Sequence, residues 1–142
     1  MDELKVRNMN PLSLAYMGDA VYESFVRERL MNGSEARTGK ADLLHKAGVR
    51  YVNAAAQAAA LAEIRPLLTE TEDALVKRAR NHRTATKAKN ADIITYKWAT
   101  AFEALIGYLY LSEQKERLAR IMEQAALCIE HPGSYSRGKE QQ

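Results

Sequence analysis

Cysteine occurs once in the 142 residues, as Cys128. A single thiol forms no intramolecular disulfide, which excludes the stapled, secreted class of small protein and points to a reducing compartment. Proline is confined to Pro11, Pro66 and Pro132, and glycine to seven positions, too few breakers for a loop-rich chain. β-Branched clusters are scarce and alanine runs are long, a balance that favours an all-α chain. No apolar stretch approaches the ~20 residues needed to span a bilayer. The opening MDELKVRNMN lacks an apolar centre, so it does not read as a signal peptide. The expectation is a soluble, cytoplasmic protein. Familiar chemistry is also missing: there is no G-x-S-x-G, no phosphate-cradling glycine loop and no metalloprotease motif. His45, His82 and His131 lack zinc-ligand spacing, and Cys128 in QAALCIEH reads as a filler of an apolar helix face.

What is present is ordinary in bulk, with 46% apolar and 27% charged residues. Those values and this length fit one domain with a real core, here placed at residues 1–132, with GSYSRGKEQQ (133–142) as a disordered tail. The charge is unevenly placed. Acid is absent from KRARNHRTATKAKN, residues 77–90, which holds six of the lysines and arginines. That segment carries +6 against a net charge of +3, so the rest of the chain sums to −3. One cationic site on a slightly acidic body suggests a polyanionic partner; a solvated basic loop is the alternative.

Asn10-Pro11 predicts a helix start, with a capping side chain and then proline in the first turn. This helix should run to about Leu30 and close at Asn32-Gly33. Its apolar residues wrap nearly all the way round, which predicts burial on most sides. Thr38 is expected to cap a long second helix through ADLLHKAGVRYVNAAAQAAALAEI, ended by Pro66. Thr69 and Glu72 make a capping box for a third helix ending near Arg80. Asn81 to Asn90 reads as an exposed loop, Asn90 as the cap of a fourth helix, ADIITYKWATAFEALIGYLYL. A fifth runs from about Ser112 to His131-Pro132-Gly133.

LAYMGDAVYE, residues 14–23, is the stretch that asks for an explanation. A helical glycine costs roughly 1 kcal/mol relative to alanine, and a desolvated carboxylate costs more unless a cation meets it. Gly18 and Asp19 incur both side by side. On the first helix Leu12, Ala15, Asp19 and Glu23 share a face; on the fourth Asp92, Tyr96, Thr100, Glu103 and Gly107 do. If the two stripes face each other, Gly18 and Gly107 let the backbones approach and two carboxylates converge. They then repel unless one is protonated or a cation lies between them. Magnesium accepts one or two carboxylates and takes phosphate oxygens as further ligands, so beside a basic loop the pair implies phosphodiester chemistry. The alternative is that each acid finds its own base: Asp19, Glu23 and Arg27 could begin a solvated stripe, and Glu103 could pair with a lysine.

LAYMGDAVYE resembles the signature of the ribonuclease III catalytic domain, an aliphatic-aromatic run into Gly-Asp. TAFEALIGYLYL resembles that family's second hallmark, the Glu-Ala-Leu-Ile-Gly helix, in the right order and at a typical separation. The expectation is a chain that stops after the catalytic domain, without room for an appended double-stranded-RNA-binding domain. With LHK at 44–46 and KRARN at 77–81, it is similar to the short Mini-ribonuclease III branch of Gram-positive bacteria. The resemblance covers roughly residues 10 to 125 and implies a helical endonuclease fold of about five to seven helices. It implies a homodimer, Mg²⁺ dependence and cleavage of double-stranded RNA, namely the precursor of 23S ribosomal RNA, with a ribosomal protein as a further partner on that substrate. Asp19 and Glu103 match the family's catalytic and metal-binding acids. Leu12, Ala15 and Thr100 stand where full-length members carry further acids, which leaves Glu72, Asp73 or Asp92 to supply a missing ligand and Thr100 to hold a water. Arg78, Arg80, Asn81, Arg83, Thr84, Lys87 and Lys89 are the expected RNA contacts. His45 and Lys46 are supporting candidates, with a plain helix-surface role as the alternative. A non-catalytic RNA-binding or ribosome-assembly module of the same fold, and a helical protein-interaction domain, are the rival readings.

Overall fold

The computed structural model describes residues 1–83 and 91–133. Its helices are α1 (Glu3–Arg7), α2 (Pro11–Met31), α3 (Ser34–Arg37), α4 (Ala41–Val52), α5 (Ala54–Ile64), α6 (Glu70–Asn81), α7 (Ala91–Leu111) and α8 (Lys115–Glu130), with a 3₁₀ turn at Arg65–Leu67. Among the described residues there is no strand, and no helix is long and apolar enough to cross a membrane. The all-α expectation holds, with more helices than the five to seven anticipated.

Local chemistry sets the main boundaries. Asn10 accepts a hydrogen bond from the Leu12 amide, and Pro11 opens α2, as that pair of residues predicts. The Thr69–Glu72 capping box forms with both of its reciprocal bonds. α7 is the central helix. Ala101, Phe102, Ala104, Leu105, Ile106 and Leu109 have no exposed surface, because α2, α5, α6 and α8 pack around it. Tyr22 of α2 meets Phe102 edge-on at 4.9 Å, a geometry that adds about 1 kcal/mol to the apolar burial of both rings.

Four expectations need correction. α2 is buried along one stripe only, through Leu14, Ala15, Gly18, Tyr22, Val26 and Leu30. Leu12 is 37% exposed and Tyr16 84% exposed, because α7 covers just one side of the helix. The long second helix breaks at Asn53, whose ψ of 154° leaves the helical region and whose side chain caps α5 by accepting from the Ala56 amide. Thr38 caps neither half; it closes the short α3 and accepts from the Lys40 amide at 3.2 Å. The last helix starts at Lys115 rather than Ser112, since Glu113 turns the chain with φ at 60°. The cap expected from Asn90 and residues 134–142 of the tail lie outside the described residues.

The far end of α2 is fastened ionically. Arg29 grips Glu130 with two bonds of 2.7 Å and Glu123 with a third, and Tyr51 donates to Glu130 at 2.6 Å. The Arg29 guanidinium is the main reason that the Glu130 carboxyl is held down at about 2. This cluster ties α2, α4 and α8 together.

Candidate active site

α2 and α7 cross at two glycines. A Cβ on Gly18 would lie 1.7 Å from the Glu103 carbonyl oxygen, and one on Gly107 would lie 1.9 Å from that of Leu14. No other residue fits either place. Stepping from Leu14 to Gly18 along α2 moves the contact from Gly107 back towards Glu103, so the helices run antiparallel. The acids follow from this contact. Asp19, the next residue after Gly18, is thereby brought beside Glu103, and its carboxylate acts on the Glu103 carboxyl.

Two acids placed so close favour a proton on one of them. Burial, then the neighbouring Asp19 carboxylate, push Glu103 up to about 8, and the Gln57 side chain opposes this. Asp19 itself lies on the exposed side of the helix. The site is therefore an acid pair with one half-buried member and one exposed to solvent. No lysine or arginine has an ion pair with either acid among the described residues, so the separate-partner alternative is not what forms.

The other candidates for the missing carboxylates are elsewhere. Glu72 is 3% exposed and is consumed by the capping box and by two bonds from Arg117 at 2.7 and 2.9 Å. Asp73 pairs with Arg65 and Lys77. Asp92 is exposed and lies eleven residues before Glu103, about 16 Å along α7. Among the described residues no three of His, Cys, Asp and Glu gather as a metal-holding group. Thr100 is 5% exposed and precedes Glu103 by one turn. Glu23 leaves the site and pairs with Arg27 at 2.9 Å on the surface. Cys128 is half-buried, and burial pushes its thiol up, as a packing residue requires.

Gln57 is the site residue that the sequence reading passed over. It is 3% exposed, the one polar side chain within AAAQAAALA, and it reaches Glu103 from α5. That isolated amide in an alanine run was the available signal.

The basic segment is partly committed to the fold. Arg78 donates to the carbonyl oxygens of Arg7 and Met9, pinning the chain ahead of α2. Arg80 donates to the Asn81 side chain at 3.1 Å and lies over the Trp98 ring. Arg83 is exposed. Thr84, Lys87 and Lys89 lie outside the described residues. His45 and Lys46 are both exposed on α4, and His45 borders an apolar cavity of about 370 Å³ between α2 and α4; neither is near the acid pair in any described contact.

A family model described as a ribonuclease III domain matches residues 12–114, a span that contains both glycines and both acids. The chain belongs to the ribonuclease III family. Among its relatives, the Mini-ribonuclease 3 of Brevibacillus brevis is 52% identical over 85% of this chain and 88% of its own. That of Symbiobacterium thermophilum is 49% identical over 84% and 90%. These place the chain in the Mini-ribonuclease III branch of the ribonuclease III family. A crystal structure of a protein from Fusobacterium nucleatum superimposes with a TM-score of 0.72 at 29% identity, covering 87% of this chain and 94% of that one. The ribonuclease III assignment makes the protein an endoribonuclease.

Proposed function

We propose that the protein is a Mg²⁺-dependent endoribonuclease that cuts double-stranded RNA and matures the ends of precursor 23S ribosomal RNA. The observation that carries this reading is the crossing of α2 and α7 at Gly18 and Gly107, which sets Asp19 beside Glu103. Two carboxyl groups brought together have a surplus of negative charge that a proton or a divalent cation relieves.

The donor set fits magnesium. Two carboxylates and no sulfur or imidazole make a hard-oxygen site, and Mg²⁺ is held by one or two carboxylates while keeping several waters. Asp19 and Glu103 would be its protein ligands. A bound divalent ion supplies Lewis-acid stabilisation of the phosphate and makes water more acidic. The protein's own part is placement. Gly18 and Gly107 set the spacing of the acids, and Gln57 lowers the proton affinity of Glu103. Two carboxylates suffice for one ion per subunit.

A duplex substrate suits the surroundings. A-form RNA is recognised mainly through its phosphates, 2′-hydroxyls and shape, and Arg80, Asn81 and Arg83 lead into an acid-free segment that Thr84, Lys87 and Lys89 extend. A homodimer would present two such sites about a two-fold axis, one for each strand. The uncovered side of α2, with Leu12 and Tyr16 exposed beside Asp19, supports that interface. The ribosomal precursor as substrate, with a ribosomal protein on it, rests on the resemblance to the Mini-ribonuclease III branch.

The test is incubation of a structured precursor duplex with the protein, with and without Mg²⁺ and EDTA, alongside Asp19→Asn. Metal-dependent cleavage by the wild type, lost in the folded variant, is the expected result. Cleavage retained by Asp19→Asn would remove the acid pair from the reaction. Binding without cleavage by the wild type would favour a non-catalytic RNA-binding module.

A further inference from the structure

We propose that Trp98 is a positioning residue for RNA binding, its indole ring holding the Arg80 guanidinium ready for a backbone phosphate without neutralising it. This rests on the reading of the basic segment as the RNA contact. Most arginines that the structure orders are ordered by acids. Arg7, Arg27, Arg29, Arg65 and Arg117 each meet a carboxylate, which spends their charge within the fold. Arg80 is ordered differently. Its guanidinium carbon lies 4.8 Å from the centre of the Trp98 ring, and its Nε donates to the Asn81 side-chain oxygen at 3.1 Å. Both partners are neutral, and no described carboxylate forms an ion pair with it.

An aromatic face attracts a cation through its quadrupole and leaves the net charge intact. Only Nε is used by Asn81, so among the described contacts the two terminal nitrogens keep their four N–H groups, the fork that grips a phosphate bidentately. Arginine loses much rotamer entropy when it is fixed, and ordering it before the ligand arrives removes that cost from binding. The ring is itself braced. Trp98 is half-buried against the core, and Arg65 lies over it at 5.0 Å while being held by Asp73 at 3.2 and 3.3 Å. A brace running from Asp73 through Arg65 and Trp98 ends on the one guanidinium in it without an acid partner. That end is the last turn of α6, where the acid-free segment leaves the helix.

The experiment is a double-mutant cycle on KM for duplex RNA, measured at several KCl concentrations, with wild type, Arg80→Ala, Trp98→Leu and the double variant. Arg80→Ala should raise KM about 5–10-fold and reduce the salt slope by about one, as loss of one phosphate contact requires. Trp98→Leu should raise KM about 3–5-fold, with kcat at saturating RNA within about two-fold of wild type, and should add nothing further in the Arg80→Ala background. Trp98→Phe keeps a weaker cationic platform and should give an intermediate KM; it also stands in if the leucine variant melts early by circular dichroism. Equal effects of Trp98→Leu in both backgrounds would reduce Trp98 to a packing residue and overturn the proposal. So would an effect of Arg80→Ala with none from either Trp98 variant, and that outcome would leave the basic segment in place. No change in KM or slope for Arg80→Ala would overturn the basic-segment reading and this proposal together.

Discussion

Without divalent ions, the protein should lose stability as the pH rises from 5 to 8.5, and Glu103 should be the cause. Its carboxyl is pushed from the usual 4.5 up to about 8, first by burial and then by Asp19. The folded state therefore keeps a proton that the unfolded chain has released. The sign follows: this contribution is complete below pH 4.5 and disappears as pH passes through about 8. Fully realised, such a shift corresponds to about 5 kcal/mol. Solvent at the exposed Asp19 screens the charge, which leaves about 2–3 kcal/mol. At about 3–4 °C per kcal/mol for a chain of this size, the melting temperature should drop by about 6–12 °C. Glu130, Asp73, Glu72 and Glu3 have lowered values; they gain stability as acid is removed and finish below this window. The assay is calorimetric melting in EDTA at pH 5, 6.5 and 8.5, for wild type and Glu103→Gln, repeated with saturating Mg²⁺. The variant has no proton to lose and should show a flatter profile. A ligand at a hundred times its Kd adds about 2.7 kcal/mol, so Mg²⁺ should restore the wild type at pH 8.5, and do less at pH 5 where it competes with the proton. Parallel profiles for the two proteins, or an equal Mg²⁺ effect on both, would refute the reasoning.

Gly18→Ala must part α2 and α7 by well over 1 Å to relieve a Cβ placed 1.7 Å from the Glu103 oxygen. It should cost about 3 kcal/mol or more in urea unfolding and abolish the Mg²⁺-dependent rise in melting temperature; a mild loss with that rise intact would contradict the crossing. Arg117→Met leaves the Glu72 carboxylate, 3% exposed, with only its cap bonds, at a cost of about 3 kcal/mol at pH 7. The deficit should shrink near pH 4, where Glu72 can take up a proton, and a deficit independent of pH would point to lost packing instead. Tyr16→Glu charges the exposed side of α2 and should turn a dimer into a monomer by sedimentation; a variant that stays dimeric would move the interface elsewhere.

What the sequence disclosed is what neighbouring residues decide. Asn10-Pro11 and Thr69-x-x-Glu72 are short-range chemistry and form as read. The meeting of Asp19 and Glu103 was legible because Asp19 adjoins Gly18 and Glu103 lies one turn from Gly107, each in an apolar helix, and a close crossing explains that pairing. Burial of α2 was not legible, since Leu12 and Tyr16 are as apolar as the residues that are buried and differ only in which side α7 covers. The break at Asn53 was hidden by alanines that would continue a helix equally well; the residue's capping bond to Ala56 decides it. Arg78 carried the same signal as Arg80, yet its carbonyl partners lie some seventy residues earlier. Gln57 was overlooked because composition averages a single amide into its alanine surroundings.

The glycine crossing has a consequence for how this enzyme can change over time. Since main chain touches main chain at Gly18 and Gly107, the gap between the two acids does not depend on which aliphatic side chains fill the neighbouring interior. Those positions can drift through many combinations while the two acids stay in register. An added methyl at either glycine has no such freedom, so the smallest residues here are the ones that tolerate least.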